Sequence, residues 1–361
     1  VSSLFSAVTD AEVVVCCGPG GVGKTTVSAI LALHLAAQGK RVCVLTVDPA
    51  RRLADALGIT VAGSEPVEVP GVVGGSCHAL MLDTEGTFDA LIDRYAQSDE
   101  QATAIKANRL YRSLTSAVSG TQEYMAMEKL YELCESAAFD VVVVDTPPTR
   151  NALDLLDAPN RLTSFLENRI FRALLAPTKV GLRALSVATK MVLSTIGKVA
   201  GAELVSDAVT FFQAFAGMEE GFVTRAGAIH ERLRSPSTSF LLVTSPRADA
   251  IAEAQFFADR LSEAEMRTAG VVVNRVHPRF LDHDLDLSLL EVPGDLGVLS
   301  ANLAAALAVA DSEHMAVSGL ISALAPAPVA TIPLTADDLH DVASLRALGP
   351  LLEASEGSID A

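Results

Sequence analysis

Between an apolar run, Val13–Cys17, and a stretch of helical spacing, Lys24–Gln38, lies the segment Gly18-Pro19-Gly20-Gly21-Val22-Gly23-Lys24-Thr25. No other feature limits the possible folds as sharply. Glycines at these spacings let successive backbone N–H groups turn toward one centre, and the following helix adds the positive end of its dipole. The pattern is that of a phosphate-binding loop (P-loop), in which Lys24 reaches the β- and γ-phosphates and the Thr25 hydroxyl ligates Mg²⁺. Such a loop works only between a buried strand and a helix. The flanking sequence supplies both, with Gly39 closing the helix and Arg41–Val47 reading as a second strand. The expected fold is therefore an α/β P-loop nucleoside triphosphatase with a mostly parallel central sheet, covered by helices on both faces.

Further strand-like runs are expected at 79–82, 141–144, 240–243, 271–273 and 329–332. The alternation of strands and helices breaks twice, over 84–134 and 160–234, where the pattern is helical. Residues 1–361 are accordingly expected to form one ATPase domain carrying a helical subdomain built from these two inserts. A loop rich in Gly and Pro, Gly63–Ser76, and an acidic one, Asp282–Asp295, are expected to be flexible surfaces.

Composition narrows the partners. A net charge of −17 argues against a bulk electrostatic grip on nucleic acid. The five cysteines, Cys16, Cys17, Cys43, Cys77 and Cys134, form no Cys-x-x-Cys pair, so neither a disulfide framework nor a zinc clasp is indicated. Residues 1–12 lack a basic region followed by a long apolar stretch, and no secretory signal is expected. The most apolar long stretch, Val180–Ala200, carries Arg183, Lys190 and Lys198, which argues against an integral membrane segment. The expected compartment is cytoplasmic.

Two carboxylates complete the chemistry. Asp145 ends the run Val141–Val144, where a carboxylate beside a P-loop holds magnesium, usually through water. Asp48 ends the strand after the loop helix and faces the same crevice. It is the candidate catalytic group, orienting the attacking water; the alternative on local sequence is a helix N-cap.

At these residues the chain resembles the ArsA family of ATPases, which includes the arsenite-pump ATPase and the targeting ATPase for tail-anchored membrane proteins. The elements that carry the resemblance are Gly20-Gly21-Val22-Gly23-Lys24-Thr25-Thr26, Asp48-Pro49-Ala50, Asp145-Thr146-Pro147-Pro148-Thr149, Val273-Asn274-Arg275 and Ile332-Pro333-Leu334. They run in the family's order over almost the whole chain. The resemblance implies bound ATP and Mg²⁺, with residues 20–26 on the nucleotide and Thr25 and Asp145 at the metal. It implies a first switch containing Asp48 as the catalytic carboxylate, a second switch over 145–149, and an adenine site at Asn274 and Pro333. It also implies a dimer and a helical region forming an apolar groove gated by ATP.

The departures are specific. The family's loop carries a second lysine just after its first glycine, reaching the partner's nucleotide; here Pro19 stands there. Arg150 and Asn151 replace the Gly and His that normally follow the second switch. Arg150 or Arg51 is a candidate substitute for the missing charge, against the plainer reading of each as a solvated arginine. The expected assembly is a homodimer, or a heterodimer with a related subunit that keeps the lysine. Cysteines for arsenite or zinc have no counterpart, which disfavours a metalloid or anion pump as the alternative.

Six basic residues and no acidic ones lie between Asn168 and Ala202, and Val209, Phe211, Phe212, Phe215, Met218 and Phe222 follow. A packed scaffold with a solvated basic face is one reading. The resemblance favours an apolar surface for a protein partner or hydrophobic client, whose state the nucleotide gates. A Min- or Par-like positioning ATPase is disfavoured by the short acidic end, Leu351–Ala361. Asp282, Asp284 and Asp286 lack the glycine of a calcium loop, and Pro293 stands where its last carboxylate would be. His277 has no evident partner in the sequence and is assigned no chemistry.

Overall fold

The structure is a computed structural model and describes residues 3–48, 52–60, 63–109, 111, 121–147, 163–164, 207, 210–211, 213–279, 295–336, 339 and 341–353. In chain order the described elements begin with α1 (Leu4–Val8), β1 (Val13–Cys17), α2 (Lys24–Ala37), β2 (Arg41–Thr46), α3 (Arg52–Leu57), β3 (Val67–Glu68) and β4 (Ser76–Met81). They continue with α4 (Thr84–Tyr95), α5 (Asp99–Ala107), α6 (Thr121–Glu135), β5 (Val141–Asp145), α7 (Glu219–Arg234), β6 (Thr238–Thr244) and α8 (Ala248–Glu263). The last are β7 (Thr268–Val276), α9 (Asp295–Leu324), β8 (Val329–Pro333), α10 (Val342–Ala347) and a 3₁₀ turn, Gly349–Leu352.

The two strands flanking the glycine-rich loop do not pair with each other. The sheet order is β3-β4-β2-β5-β1-β6-β7-β8, so β5 lies between β1 and β2. All neighbours are parallel except β3 and β4. A parallel sheet needs both faces covered, and the strand sequences comply: all five residues of β1 and of β5 are buried. Val14, Cys16, Val42, Val44, Val141 and Val143 share one core with Leu4, Val27, Ile30 and Leu31. Each fully buried Val or Leu contributes about 1.5–3 kcal/mol of apolar transfer, so this layer fixes the sheet against α2.

The loop helix α2 is apolar around most of its circumference and correspondingly enclosed, with eleven of its fourteen residues buried. Gly39, at φ 93°, stops it by turning into the left-handed region, and its N–H donates to the Ala36 carbonyl. At the other end Gly23 is also left-handed, φ 89°, and leads directly into Lys24.

The chain divides into two compact units, Val1–Met81 with Leu133–Leu153 and Arg234–Ala361, and Leu82–Glu132 with Asp154–Leu233. The described residues of the second unit contain α4, α5, and most of α6 and α7, and no strand. Asp83 caps α4 by accepting the Gly86 N–H at 2.9 Å. Within this unit Phe211, Phe215, Met218 and Phe222 are each at most 5 % exposed. These residues, expected around an apolar surface, are packed inward here: the Phe215 ring lies tilted against Phe211 and Phe222, and Phe222 against Tyr95. Phe212 and the basic run 169–198 lie outside the described residues.

Two local expectations are corrected. Strand β4 starts at Ser76 and stops at Met81, against the expected 79–82, because its parallel pairing with β2 runs from Arg41 opposite Ser76 to Thr46 opposite Met81; its other edge takes up β3 from the Gly- and Pro-rich segment. That segment is therefore not all free loop: Val67 pairs with Ala79, and Val69 is buried. The acidic loop lies outside the described residues apart from Asp295, which opens α9.

Gly18 shows how tightly β1 and β6 constrain the loop. A Cβ on Gly18 would stand 2.0 Å from the Val243 carbonyl oxygen, and its φ is 149°. Gly18→Ala is expected to destabilise the protein by about 2–3 kcal/mol. Urea unfolding monitored by circular dichroism measures this, and an unchanged midpoint would contradict the close approach.

Candidate functional site

Three parallel strands set the site. Cys16 of β1 and Thr46 of β2 are both in register with Asp145, so the carboxylate at the end of β5 sits between the loop strand and β2. The side-chain hydroxyls of Thr25 and Thr46 both donate to Asp145 Oδ2, at 2.7 and 2.9 Å. The other oxygen, Oδ1, is buried with no hydrogen-bond partner. An ionised oxygen left bare in an interior is costly unless a cation or its hydration shell meets it. A Mg²⁺ ion with coordinated water fits that donor set, which consists of one carboxylate and one threonine hydroxyl. Thr146 anchors the same strand end, its hydroxyl donating to the Cys16 carbonyl at 2.8 Å.

Lys24 is buried, and its ammonium donates to the carbonyls of Gly18 at 3.0 Å and Pro19 at 2.8 Å. Burial pulls its pKa down, opposed chiefly by the charge of Asp145. Among the described residues this ammonium's hydrogen bonds go to neutral carbonyls, so phosphate oxygens would replace weaker acceptors. Gly20 and Gly21 are exposed, Val22 is buried, and Gly23, Thr25 and Thr26 are half-buried in the loop and the first turn of α2.

Asp48 is half-buried two residues after β2 ends at Thr46, and its N–H donates to Thr46 Oγ1 at 3.3 Å. Arg52 lies 3.5 Å from its carboxylate. The residues between Asp48 and Arg52, where the described part of α3 opens, lie outside the described residues. The charge of Asp48 is felt at Asp145 and Lys24, so it belongs to the same electrostatic cluster.

Asn274 lies on the opposite flank, at the end of β7. Its Nδ2 donates to the Val22 carbonyl at 2.8 Å and its Oδ1 accepts the Arg275 N–H at 2.9 Å. The expected adenine-reading amide thus holds the loop in this structure. Pro333 closes β8 in register with Val276, near the same strand ends. A cavity of about 760 Å³ adjoins the loop at Pro19–Val22, walled by Ser245, Arg247, Glu253, Arg275, His277 and Glu313.

The profile of the ArsA family, described as anion-transporting ATPase, matches residues 11–287. The chain belongs to the ArsA family of ATPases. Among its relatives, the ATPase get3 of Aspergillus terreus is 35 % identical over 41 % of this chain and 43 % of its own length. The ATPase GET3A of Arabidopsis thaliana is 25 % identical over 76 % of this chain and 69 % of its own. An uncharacterized protein of Streptomyces coelicolor is 32 % identical over 75 % of this chain and 64 % of its own. The chain therefore spans less than half of the first of these relatives and about two thirds of the others.

The structure brings Lys24, Thr25, Asp145 and Asp48 into one cluster and places Asn274 against the loop from outside. Sequence reasoning missed Thr46, whose only signal is a hydroxyl on the last residue of a largely apolar strand. It also missed the Arg275 contact with the Gly21 carbonyl and the partner of His277, whose ring lies 2.7 Å from Glu313. Pro49, Ala50, Arg51, Pro148, Thr149, Arg150 and Asn151 lie outside the described residues. Cys16, Cys17, Cys43 and Cys77 form no disulfide and are buried, as small hydrophobes in a core. Among the described residues no group of three or more His, Cys, Asp or Glu could hold a metal, and no helix is long and apolar enough to cross a membrane.

Burial raises the pKa of Asp145 from 3.8 to about 6; Thr25, Thr46 and Lys24 pull it down, and Asp48 pushes it further up. A carboxyl whose folded pKa is raised stabilises the fold while protonated, fully below its unfolded value. That contribution is lost as pH rises through about 6. In metal-free buffer Asp145→Asn is accordingly expected to be more stable than wild type at pH 8 by about 2 kcal/mol, with the difference vanishing near pH 4. Urea unfolding at the two pH values checks this.

Proposed function

We propose that this chain binds and hydrolyses ATP at the loop, and that the nucleotide's state remodels the helical second unit for a protein partner or hydrophobic client. The observation that carries the reading is the Thr25–Asp145–Thr46 cluster, with its bare Oδ1, set beside the buried ammonium of Lys24. In this reading the N–H groups of Gly20–Thr26 and the Lys24 ammonium bind the phosphates. Thr25 and Asp145 would hold Mg²⁺, which would supply neutralisation of the phosphate charge. Asp48 orients the attacking water, and Asn274 and Pro333 flank the adenine. An amide carries two donors and two acceptor sites, so Asn274 keeps one of each for a base while holding the loop.

The departure at Pro19 shapes the assembly. Proline has neither a side-chain donor nor an N–H, so it offers no cation to a neighbouring nucleotide. Its carbonyl instead accepts from Lys24. We therefore place the chain in a dimer, with a related subunit that brings a lysine in preference to a second copy. We read residues 1–361 as one ATPase domain, with a helical subdomain built from 84–134 and 160–234. Helix α6 runs into β5, whose last residue is Asp145, which gives the nucleotide site a direct covalent lever on that part.

Calorimetry on Lys24→Ala is expected to show at least tenfold weaker MgATP binding, from loss of a charge-assisted contact to phosphate. Asp48→Asn is expected to keep wild-type affinity and lose about a hundredfold in phosphate release. Unchanged affinity in the first, or brisk turnover in the second, would remove the corresponding assignment.

The packed interior around Phe215, Met218 and Phe222 must loosen for a client to be held there. Amide exchange over residues 213–234 is expected to be faster in one nucleotide state than in the other. Identical protection with ATP and ADP would leave the second unit a rigid scaffold.

A further inference from the structure

Two neighbouring side chains at the end of β7 grip the outer side of the phosphate loop. Asn274 Nδ2 donates to the Val22 carbonyl at 2.8 Å, and Arg275 Nη1 donates to the Gly21 carbonyl at 2.9 Å. The Arg275 N–H in turn donates to Asn274 Oδ1 at 2.9 Å, which joins the two into one clasp. In a planar trans peptide the C=O and the following N–H point in opposite directions. Drawing the Gly21 carbonyl toward Arg275 therefore turns the Val22 N–H the other way. Drawing the Val22 carbonyl toward Asn274 does the same for the Gly23 N–H. These are the donors with which such a loop cradles phosphates.

The backbone is shaped for this contact. Arg275 has φ 63°, a region rarely used by residues with a Cβ, and the β7–β8 register skips between Asn274 and Val276. A bulge of this kind re-aims a side chain at the rim of a sheet. Arg275 is exposed, yet its guanidinium turns back onto the loop rather than into solvent. Gly23 is close enough that a Cβ there would stand 2.3 Å from Asn274 Nδ2.

We infer that Arg275 is a positioning residue for nucleotide binding: it presets the phosphate-facing N–H groups of the loop without touching the nucleotide. The inference rests on the loop being the nucleotide site. Lys24 grips the Gly18 and Pro19 carbonyls, and a phosphate must displace those contacts. The Arg275 contact is on a different carbonyl, which a phosphate taken up by Lys24 and the loop N–H groups need not displace.

The test compares Arg275→Gly and Arg275→Lys with wild type, by calorimetry with MgADP and MgATP and by thermal unfolding. Glycine accepts φ 63° freely, so Arg275→Gly relieves the backbone while removing the clasp. Its unfolding temperature should not fall, yet both nucleotides should bind about tenfold more weakly, and by the same factor. Lysine should recover part of the loss. Affinities within twofold of wild type would overturn the inference. So would a loss seen with ATP alone, which would mean direct contact with the terminal phosphate, or a loss that tracks a lowered unfolding temperature. Wild-type protein that binds neither nucleotide would remove the site reading itself, and this inference with it.

Discussion

The carboxylate of Asp145 is buried at the end of a central strand, with one oxygen shared by two threonine hydroxyls and the other bare. Burying a charge of this kind is unfavourable unless something compensates it, and much of the surrounding structure can be read as that compensation. Thr25 comes from the first turn of the loop helix and Thr46 from the neighbouring strand, so the carboxylate ties α2, β2 and β5 together at one point. Lys24 adds a nearby cation that is itself depressed by burial. Charges held this far from water relax little when a ligand arrives, which is the condition under which electrostatic stabilisation of a transferring phosphoryl group is strongest.

The loop is held on several sides by groups that are not part of its motif. Lys24 takes two of its carbonyls, Arg275 and Asn274 take two more, and Gly18 touches the Val243 carbonyl so closely that no side chain fits. A glycine-rich segment has many accessible conformations when free, and ordering it costs entropy. Donors from β7 and the contact with β6 restrict that freedom before any ligand binds. The sheet order makes this possible, since β6 lies directly beside β1 and β7 directly beside β6.

The second unit stands under different constraints. Glu128 is almost wholly buried and is paired with Arg225, whose guanidinium also lies 3.9 Å from the centre of the Tyr131 ring. Phe215, Phe222 and Tyr95 pack against one another nearby, so the described helices bury apolar rings beside an ion pair. In the proposed function this interior is one of two states.

Much of the fold was legible in the sequence because its signals are local. Valine runs buried on both faces mark parallel strands, Gly39 marks the end of α2, and the spacing from Gly18 to Thr25 fixes a phosphate loop. The short β3 was not legible: two residues carry no period, and Val67–Glu68 becomes a strand only because β4 offers an open edge. The candidate site divides in the same way. Lys24, Thr25, Asp48 and Asp145 could be named from motif and position, since each lies at the end of a strand or in the loop itself. The contacts of Thr46, Asn274 and Arg275 could not, because they depend on strand order and on a bulge that turns one arginine backward. Sequence spacing determines which residues share an element; only packing of the sheet decides which strand ends meet, and hydrogen bonds are too short to form until it has.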